Sequence, residues 1–326
     1  MKKVVIGRRA VLAGLTGGSF AAPLISKADG FPSQRMTFVV PFPPGASTDV
    51  SMRVLADKLG QMWGQPVVVD NRGGGNGIIA AEVVKRAKPD GYTLLATSSM
   101  THAGNPSLYE KLPYDPIADF EPITRVLRVP MVVLVHKGLG VNTLAELTAK
   151  LKAEPGKHNY GSGSVSSHVA GELYKMLAEV DAVYVGYKNN QLAAPDLNSG
   201  LLSFMIPDVP SGIMILNSDW AKALAVTQVD RLPSLPGVPS APQAGLSNLL
   251  FTSWSAFYAP KGTARDVVLK LNKDIIAAGT SPETAAKLEQ MGGGASFTTP
   301  EGLMEFTKSE MNVWRKVVRA ANIKIE

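Results

Sequence analysis

The segment 36–76 constrains the fold of this chain more than any other part of the sequence. Met36–Val40 is a short apolar run of the kind that forms a buried parallel strand, and several prolines follow it. Within residues 50–63, apolar side chains recur every three or four positions, which indicates a helix that ends at Gly64. Residues 65–69 predict the next strand. Together these features predict a strand, loop, helix and strand unit of an α/β fold.

The loop between the first strand and its helix is rich in small and hydroxyl-bearing residues. No Lys or Arg occurs between Met36 and Met52. Ser47 or Thr48 is predicted to cap the helix, whose first turn leaves backbone N–H groups without intrahelical acceptors. These groups lie at the carboxyl end of a strand, where open α/β sheets bind ligands. We therefore expect backbone N–H groups and hydroxyls to hold an anion here; the alternative is a proline-rich loop that binds nothing.

A similar unit recurs in the second half of the chain. A short strand ending at Tyr160 precedes the Gly- and Ser-rich loop 161–167, and an amphipathic helix is predicted at 168–177 with a strand at 182–187 after it. Two such units predict two lobes that face one cleft. The alternative is that the hydroxyls of loop 161–167 only cap their own helix.

Two more loops follow predicted strands and are candidates for the same cleft. The hydroxyl-rich loop 97–102 comes after the strand predicted at 92–96, and loop 207–211 comes after the strand predicted at 201–206. Each loop follows a predicted strand, and open α/β sheets bind ligands at the carboxyl ends of their strands, so we expect both loops to face the cleft.

The rest of the sequence predicts how the two lobes are connected. Mixed polarity at 120–129 indicates a crossing between the lobes, and a strand at 254–258 brings the chain back. Three helices between 264 and 321 then complete the first lobe. We expect lobe 1 to contain residues 29–130 and 254–326, and lobe 2 to contain residues 131–253.

The N-terminal segment, residues 1–28, has the features of an export signal. Arg8 and Arg9 precede an apolar run that is too short to span a bilayer stably, and Ser26-Lys27-Ala28 resembles a cleavage site. The adjacent arginines favour twin-arginine export; an ordinary export signal and a membrane anchor are the alternatives. Removing residues 1–28 takes away five positive charges and no negative ones, which lowers the formal net charge from +6 to +1. The charge therefore predicts no nucleic-acid partner.

Most catalytic and cofactor classes lack their motifs in this sequence. The chain has no cysteine, and its four histidines show no zinc-binding spacing, so no metal site is predicted. No GxSxG nucleophile elbow occurs, and the glycines at 73–77 lack the ending of a P-loop and the spacing of a dinucleotide fingerprint. We therefore predict a binding protein with no catalytic residues and no cofactor.

Six motifs occur in a consistent order along the mature chain: VVPFPPGASTDV, PVVVDNRGGGNG, KPDGYTLLATSSMTHAGNPSLY, YGSGSVSSHVAGELY, ALAVT and WRKVVRAANI. In this order they resemble the solute-binding receptors of tripartite tricarboxylate transporters, the Bug family. The resemblance implies a two-lobed periplasmic-binding-protein-like (type II) fold with a ligand cleft between the lobes. It also implies a monomer that closes on a small organic carboxylate and meets the subunits of a membrane transporter.

The resemblance also implies which residues touch the ligand. The candidates are Phe42, Gly45, Ala46, Ser47, Thr48, Asp49, Ser98, Ser99, His102, Ser162, Gly163, Ser164, Ser166, Ser167, His168, Tyr187, Lys188 and Asp208. Gly186 and Asn189 replace the family's usual proline and glycine around Tyr187-Lys188, and two further positions also depart from the family pattern. Ala46 replaces a usual glycine, and Pro207 stands where the family usually has an aspartate, with Asp208 one position later. The departure at Pro207 changes one wall of the expected pocket.

These observations predict a periplasmic receptor, with its signal removed, that delivers a small carboxylate to a tripartite tricarboxylate-type transporter. Two other functions stay open from the residues alone. One is an exported enzyme acting on a small carboxylic acid, since twin-arginine export carries folded proteins. The other is a receptor that feeds a sensor protein. A catalytic constellation would favour the enzyme, and none is present in the sequence.

Overall fold

A computed structural model describes Met1 and residues 30–291 and 294–323 of this chain. Within these residues the strands form two sheets, one of six strands and one of five. The predicted export signal lies outside the described residues, apart from Met1. Of the helices in the described ranges, none is both long and apolar enough to cross a membrane.

The first sheet begins in the N-terminal part of the chain. Its elements are β1 (Met36–Val40), α1 (Ser47–Trp63), β2 (Val67–Asn71), α2 (Ile78–Lys85), β3 (Thr93–Ser98), α3 (Asn105–Leu108) and β4 (Phe120–Pro130). β1 pairs in parallel with β2 and with β3. The predicted strand, loop, helix and strand unit is confirmed, and Gly64 ends α1 in the left-handed conformation (φ 64°).

The second sheet is built from the middle of the chain. Its elements are β5 (Val132–His136), α4 (Leu144–Ala153), β6 (Asn159–Ser162), α5 (Val165–Ala178), β7 (Val183–Gly186), α6 (Asn190–Asn198), β8 (Phe204–Met205), α7 (Val209–Leu216) and β9 (Ala221–Val226). The strand order is β7-β6-β8-β5-β9. The predicted second unit corresponds to β6, α5 and β7, so its duplication of the first unit is confirmed at the level of elements.

The chain then returns to the first sheet. The returning elements are β10 (Thr252–Pro260), α8 (Arg265–Thr280), α9 (Pro282–Glu289), β11 (Gly294–Ala295) and α10 (Pro300–Ala320). β10 lies between β3 and β4 and is antiparallel to both, which completes the order β11-β4-β10-β3-β1-β2. The predicted return strand and the three final helices are confirmed. The exact lobe boundaries stay a prediction.

Three sequence predictions of irregular structure differ from the fold. Residues 120–129 form most of β4, where the polar residue Arg125 bonds to Ser296, so mixed polarity does not mark a crossing there. Loop 97–102 runs into a π-helical turn, Met100–Gly104, and then into α3. Loop 207–211 contains the start of α7. Asp208 caps α7 and Arg125 bonds to a residue distant in sequence, and the local pattern shows neither role.

The two lobes are joined by two crossings that contact each other. The first is the short connection at Met131 between β4 and β5, and the second runs from Thr227 to Phe251. Met131 N–H donates to Thr227 Oγ1 at 2.8 Å, and Thr227 Oγ1 donates to the Phe251 carbonyl at 2.5 Å. α10 of lobe 1 also packs against α5 of lobe 2. These contacts define how the two sheets are oriented around the space between them.

Candidate ligand-binding cleft

A cavity of about 580 Å³ lies between the two lobes. Its volume is in the range of sites for small organic molecules. Seven of the residues predicted from the resemblance line it: Phe42, Thr48, Ser98, Ser99, Ser164, Ser166 and Asp208. The first four belong to lobe 1 and the last three to lobe 2, so the predicted loops of both lobes meet at this cavity.

The lobe 1 residues meet because β1 and β3 are parallel neighbours in the sheet. Phe42 and Thr48 follow β1, while Ser98 and Ser99 end β3 and begin the next turn. Parallel strands bring their carboxyl ends to the same edge, about 4.8 Å apart. The sheet topology therefore explains why these two loops, separated by some fifty residues in the sequence, face one cavity.

The N-terminus of α1 has no side-chain cap. Its N-cap residue is Ala46, in an extended conformation (φ −66°, ψ 153°), so the predicted capping by Ser47 or Thr48 is wrong. Ser47 is the first residue of the helix instead. The N–H groups of the first turn have no intrahelical acceptor and carry the positive end of the helix dipole. An anion at this helix start therefore finds donors that no side chain of the cap residue already occupies.

Asp49 fixes the loop that precedes α1 rather than lining the cavity. Its Oδ2 accepts the Gly45 N–H at 2.8 Å and the Arg53 Nε–H at 3.0 Å, and its Oδ1 accepts from Asn71 Nδ2 at 2.8 Å. Asn71 also donates to the Phe42 carbonyl at 2.9 Å. Burial opposes the charge, but the hydrogen bonds from Arg53, Asn71 and Gly45 outweigh burial and lower the pKa of Asp49. Gly45 has φ 86°, a conformation that favours glycine.

The lobe 2 helices at the cavity are capped by their own side chains. Ser164 Oγ accepts the Ser167 N–H at 3.1 Å at the start of α5. Asp208 Oδ1 accepts the Ser211 N–H at 2.9 Å at the start of α7. Local capping, the alternative reading of loop 161–167, therefore applies to Ser164. Each of these caps occupies one backbone N–H of its helix, whereas the start of α1 has no side-chain cap.

Gly163 has a packing role beside the cavity. Its N–H donates to Asn190 Oδ1 at 2.9 Å. A Cβ at position 163 would lie 1.8 Å from the Asn189 carbonyl carbon, so a larger residue has no room there. Gly163 thus allows loop 161–167 to approach the start of α6 closely.

Ten of the residues predicted from the resemblance do not line the cavity: Gly45, Ala46, Asp49, His102, Ser162, Gly163, Ser167, His168, Tyr187 and Lys188. His102 is fully buried and stacks on Tyr258, with ring centroids 3.7 Å apart; burial lowers the pKa of His102 to about 3. His168 stacks on Tyr184 at 3.7 Å. Both rings are therefore packing residues rather than parts of the cavity wall.

Tyr187 and Lys188 also lie away from the cavity. The Tyr187 hydroxyl donates to Asp196 Oδ2 at 2.6 Å, within lobe 2. Lys188 is exposed. Ser162, which ends β6, is buried and donates to the Ser164 carbonyl at 3.3 Å. The cation that the sequence offered for the cleft is thus at the protein surface.

Several lining residues are not among the individually named candidates, although Met100, Val165, Pro210 and Ser211 belong to loops that the sequence places at the cleft. The polar ones are Ser51, Asn76, Gln191, Ser211, Ser253 and Ser255, and the apolar ones are Met100, Leu127, Val129, Met131, Val165, Pro210, Met214, Trp254 and Met291. Ser253 and Ser255 belong to β10, which was predicted as a strand. Its pairing with β3 joins residues more than 150 positions apart, and no local signal in the sequence indicates that pairing.

The charge in the cavity is unusual for an anion site. Among the described lining residues, Asp208 is the only charged side chain, and Lys and Arg are absent from them. The same ranges contain no cluster of His, Cys, Asp or Glu that fits a metal ion. Chemically, the cavity offers helix N–H groups, serine and threonine hydroxyls and a large apolar surface. This combination suits a small molecule with one polar end.

Comparison with known proteins places the whole described fold in one family. The family model for the tripartite tricarboxylate transporter family receptor (TctC) matches residues 51–323. BugT from Bordetella pertussis (strain Tohama I) is 33% identical over 309 residues, which cover 94% of each chain. This similarity confirms the resemblance seen in the sequence motifs.

Two solved structures share the two-lobed architecture. R. palustris Rpa4515, solved with adipate, is 32% identical with a TM-score of 0.76, and the match covers 90% of this chain and 99% of that one. The periplasmic binding protein BugD is 30% identical with a TM-score of 0.72, and the match covers 91% and 100% of the two chains. The chain therefore belongs to the receptor family of the tripartite tricarboxylate transporters, and its fold is the two-lobed α/β fold of the Bug proteins.

Proposed function

We propose that this chain captures a small organic carboxylate in the interlobe cavity and delivers it to a tripartite tricarboxylate-type transporter. The observation that carries the proposal is the start of α1, which lacks a side-chain cap and lies beside Phe42 and Thr48 of the cavity wall. A carboxylate placed there accepts hydrogen bonds from the free N–H groups of the helix and from the neighbouring hydroxyls. The lobe 2 side of the cavity then closes over the rest of the ligand.

Without a cation, the contacts of such a site reach the scale of a micromolar affinity before the entropy cost of association is subtracted. A helix N-terminus stabilises a negative charge by about 0.3 to 2 kcal/mol. Each hydrogen bond to a charged group contributes about 1.5 to 3 kcal/mol. Three such bonds with the helix terminus reach the scale of about 8 kcal/mol that corresponds to a micromolar dissociation constant. The bonds must be nearly complete, because an incompletely bonded carboxylate is costly to desolvate.

The relatives support the cellular role. BugD is a periplasmic binding protein, and Rpa4515 was solved with a dicarboxylate, adipate. We extend this to a periplasmic, monomeric receptor whose residues 1–28 are removed on export and which carries out no catalysis. Transporter subunits, rather than a sensor protein, are the proposed partners, in line with the family to which the chain belongs.

Matched acids and amides test this function. Calorimetric titrations and thermal unfolding are to be run with benzoate against benzamide and with hexanoate against hexanamide. An acid at a hundred times its dissociation constant adds about 2.7 kcal/mol to stability, and its amide adds little. Recovery of the acid unchanged by NMR separates a receptor from an enzyme. Equal binding of amides and acids would remove the basis of the proposal.

Lys188→Ala provides the control for a site that needs no cation. Lys188 is exposed and lies outside the cavity, so the variant is expected to bind acids within twofold of the wild type. Loss of acid binding in this variant would mean that a lysine, not the start of α1, neutralises the ligand.

A further inference from the structure

Four serines from two antiparallel strands form one part of the cavity wall. Ser98 and Ser99 lie at the end of β3, and Ser253 and Ser255 lie on β10; all four line the cavity. Ser255 is the pairing partner of Ser98 across the two strands. The hydroxyls of Ser99 and Ser253 are 3.5 Å apart. We call these four residues the serine cluster.

The hydroxyl of Ser255 is buried without a partner. Ser255 is 5% exposed, and its Oγ makes no hydrogen bond to any described residue. A buried polar atom is normally paired, and an exception calls for a bound partner or a functional role. Ser255 lines the cavity although its hydroxyl has almost no exposed surface in this structure, so a rotation of the side chain about χ1 would let a ligand in the cavity supply the missing partner.

The serine cluster adjoins the start of α1 in the sheet. β10, β3 and β1 are consecutive strands, and neighbouring strands are about 4.8 Å apart. Ser255 is thus roughly two strand spacings from the loop after β1. Because a carboxylate has two oxygens that accept several hydrogen bonds, one group between these elements can bond to both. The serine cluster and the start of α1 thus lie along the same edge of the first sheet.

One part of the remaining cavity wall is apolar and suited to hydrocarbon. Next to the serine cluster, β4 and the first crossing contribute Leu127, Val129 and Met131, while Met214 of α7 lines the lobe 2 side. Met214 is 61% exposed in this structure, so a ligand body that covers it removes apolar surface from water. Thioether side chains also adapt to bodies of different shape.

Asp208 places a negative charge at the lobe 2 end of the cavity. Its backbone forms an isolated antiparallel β-bridge with Met131 of the first crossing. Its Oδ2 accepts hydrogen bonds from Ser211 Oγ at 3.1 Å and from Asn190 Nδ2 at 3.3 Å. Among the described lining residues no cation faces it. A second carboxylate that extends from the serine cluster toward lobe 2 approaches this like charge, which disfavours it.

We propose that Ser255 is a ligand-binding residue and that the ligand is a monocarboxylate with an apolar body. The carboxylate lies between the serine cluster and the start of α1 and accepts a hydrogen bond from the Ser255 hydroxyl. The hydrocarbon body lies against the apolar wall, and Asp208 selects against a second carboxylate. This inference rests on the proposed function and adds the class of acid and a specificity-determining pair, Ser255 and Asp208.

Pairs of acids that differ by one carboxylate test the ligand class. The whole protein is titrated by calorimetry with hexanoate and adipate, with octanoate and suberate, and with benzoate and terephthalate. In at least one pair the monocarboxylate is expected to bind tenfold or more tightly than the dicarboxylate. Equal or tighter binding of the dicarboxylates, or binding of no monocarboxylate, overturns the inference. If acids bind but dicarboxylates are preferred, the proposed function stands and only this inference fails.

Two alanine variants test the role of Ser255. Ser255→Ala is expected to weaken the tightest monocarboxylate of the panel by five- to twentyfold. Ser240→Ala is the matched control, because the Ser240 hydroxyl is also buried without a described partner but lies outside the cavity. It is expected to change the affinity by less than twofold. Equal affinities of the two variants overturn the assignment of Ser255.

Asp208→Asn tests the selection against a second carboxylate. Asn caps a helix as well as Asp does, so α7 keeps its start while the cavity loses its charge. The variant is expected to improve adipate binding relative to hexanoate by at least threefold. An unchanged ratio contradicts the role of Asp208, and circular dichroism of each variant establishes that the fold is retained.

Discussion

Asp49 illustrates how one buried carboxylate positions a binding loop without touching the ligand cavity. Asp49 is 1% exposed, and its carboxylate accepts hydrogen bonds from Gly45, Arg53 and Asn71. Asp49→Ala removes every one of these bonds. We expect the free energy of unfolding to fall by about 2 to 3 kcal/mol, because hydrogen bonds to a charged group are the stronger kind. Urea unfolding at pH 7 measures this loss.

The pH dependence separates the charge of Asp49 from its shape. Hydrogen bonds hold the pKa of Asp49 in the folded protein below its ordinary value of 3.8. Its contribution to stability is therefore complete above pH 3.8 and is lost as the pH falls through the lower, folded pKa. The difference in stability between wild type and Asp49→Asn is expected to shrink below that pH. A difference that stays constant down to pH 2 would contradict this linkage.

Glu310 on α10 is the opposite case, a carboxyl that the fold prefers protonated. Burial raises the pKa of Glu310 from 4.5 to about 7, although the hydrogen bond from Trp254 Nε1 and the Arg128 guanidinium both lower it. Its effect on stability is most favourable below pH 4.5 and is lost as the pH rises toward 7. Glu310→Gln keeps an acceptor for Trp254 and removes the ionisation. We expect a gain of roughly 3 kcal/mol at pH 8 and little change at pH 4.5, measured by urea unfolding.

At the scale of single residues, the sequence predicts cavity-lining side chains only where their position follows from local structure. Thr48, Ser98 and Ser99 line the cavity because they stand at the carboxyl ends of parallel strands that the apolar pattern predicts. His102 does not, because the π-helical turn after β3 directs its ring onto Tyr258 in the core. Ser255 depends on a strand pairing between distant parts of the chain. Only a three-dimensional structure supplies that pairing.

The start of α1 is the element on which ligand capture depends, and its missing cap is testable. Ala46 has the extended conformation that N-cap residues adopt. Ala46→Asp supplies a capping carboxylate of its own, which is expected to stabilise the unliganded protein by about 1 kcal/mol. The same carboxylate occupies the donors that we assign to the ligand. Calorimetry should therefore show at least tenfold weaker binding of the acid.

Ala46→Ser is the control for this variant. A serine also caps the helix but adds no charge, so the gain in stability is expected to be similar and the loss of affinity smaller. If Ala46→Asp stabilised the protein and left acid binding unchanged, the helix start would not be where the carboxylate binds.

Elements with a clear apolar period were predictable, and those defined by tertiary partners were not. α1 and α10 have regular apolar spacing and appear where the sequence places them. The first turn of α7 was predicted as part of a loop because it contains Pro210 and Ser211, residues typical of turns, while Asp208 acts as the N-cap of the helix. β4 was misread because Arg125 has a polar partner from another part of the chain, Ser296. Local sequence cannot reveal such compensation.

For the molecule as a whole, the cavity depends on the angle between two lobes that share few connections. Thr227 is fully buried and begins the second crossing. It contacts Met131 of the first crossing and Phe251 at the far end of the second. Its backbone N–H donates to the Met131 carbonyl at 2.9 Å, and its carbonyl accepts the Phe251 N–H at 3.1 Å. Met131 also lines the cavity. The pairing of the crossings and the shape of the ligand site are therefore linked through one residue.

Thr227→Val tests whether this link controls ligand affinity. Valine has nearly the same shape, but it leaves the Met131 N–H and the Phe251 carbonyl without their hydroxyl partner. Each unpaired buried group costs about 1 to 3 kcal/mol, so stability falls. With the crossings less firmly joined, a smaller fraction of molecules has the binding geometry, and the apparent dissociation constant rises in inverse proportion to that fraction.

Thr307→Val is the matched control, because Thr307 is equally buried and its contacts lie entirely within lobe 1. Its hydroxyl makes two hydrogen bonds, one with the Tyr258 hydroxyl at 2.7 Å and one to the Leu303 carbonyl at 2.8 Å. Both variants are expected to lose stability in urea unfolding. Only Thr227→Val should also weaken acid binding several-fold and increase the radius of gyration of the liganded protein in solution scattering. Equal affinities in the two variants would mean that the crossings set stability alone, and that lobe orientation is determined elsewhere, at the contact between α5 and α10.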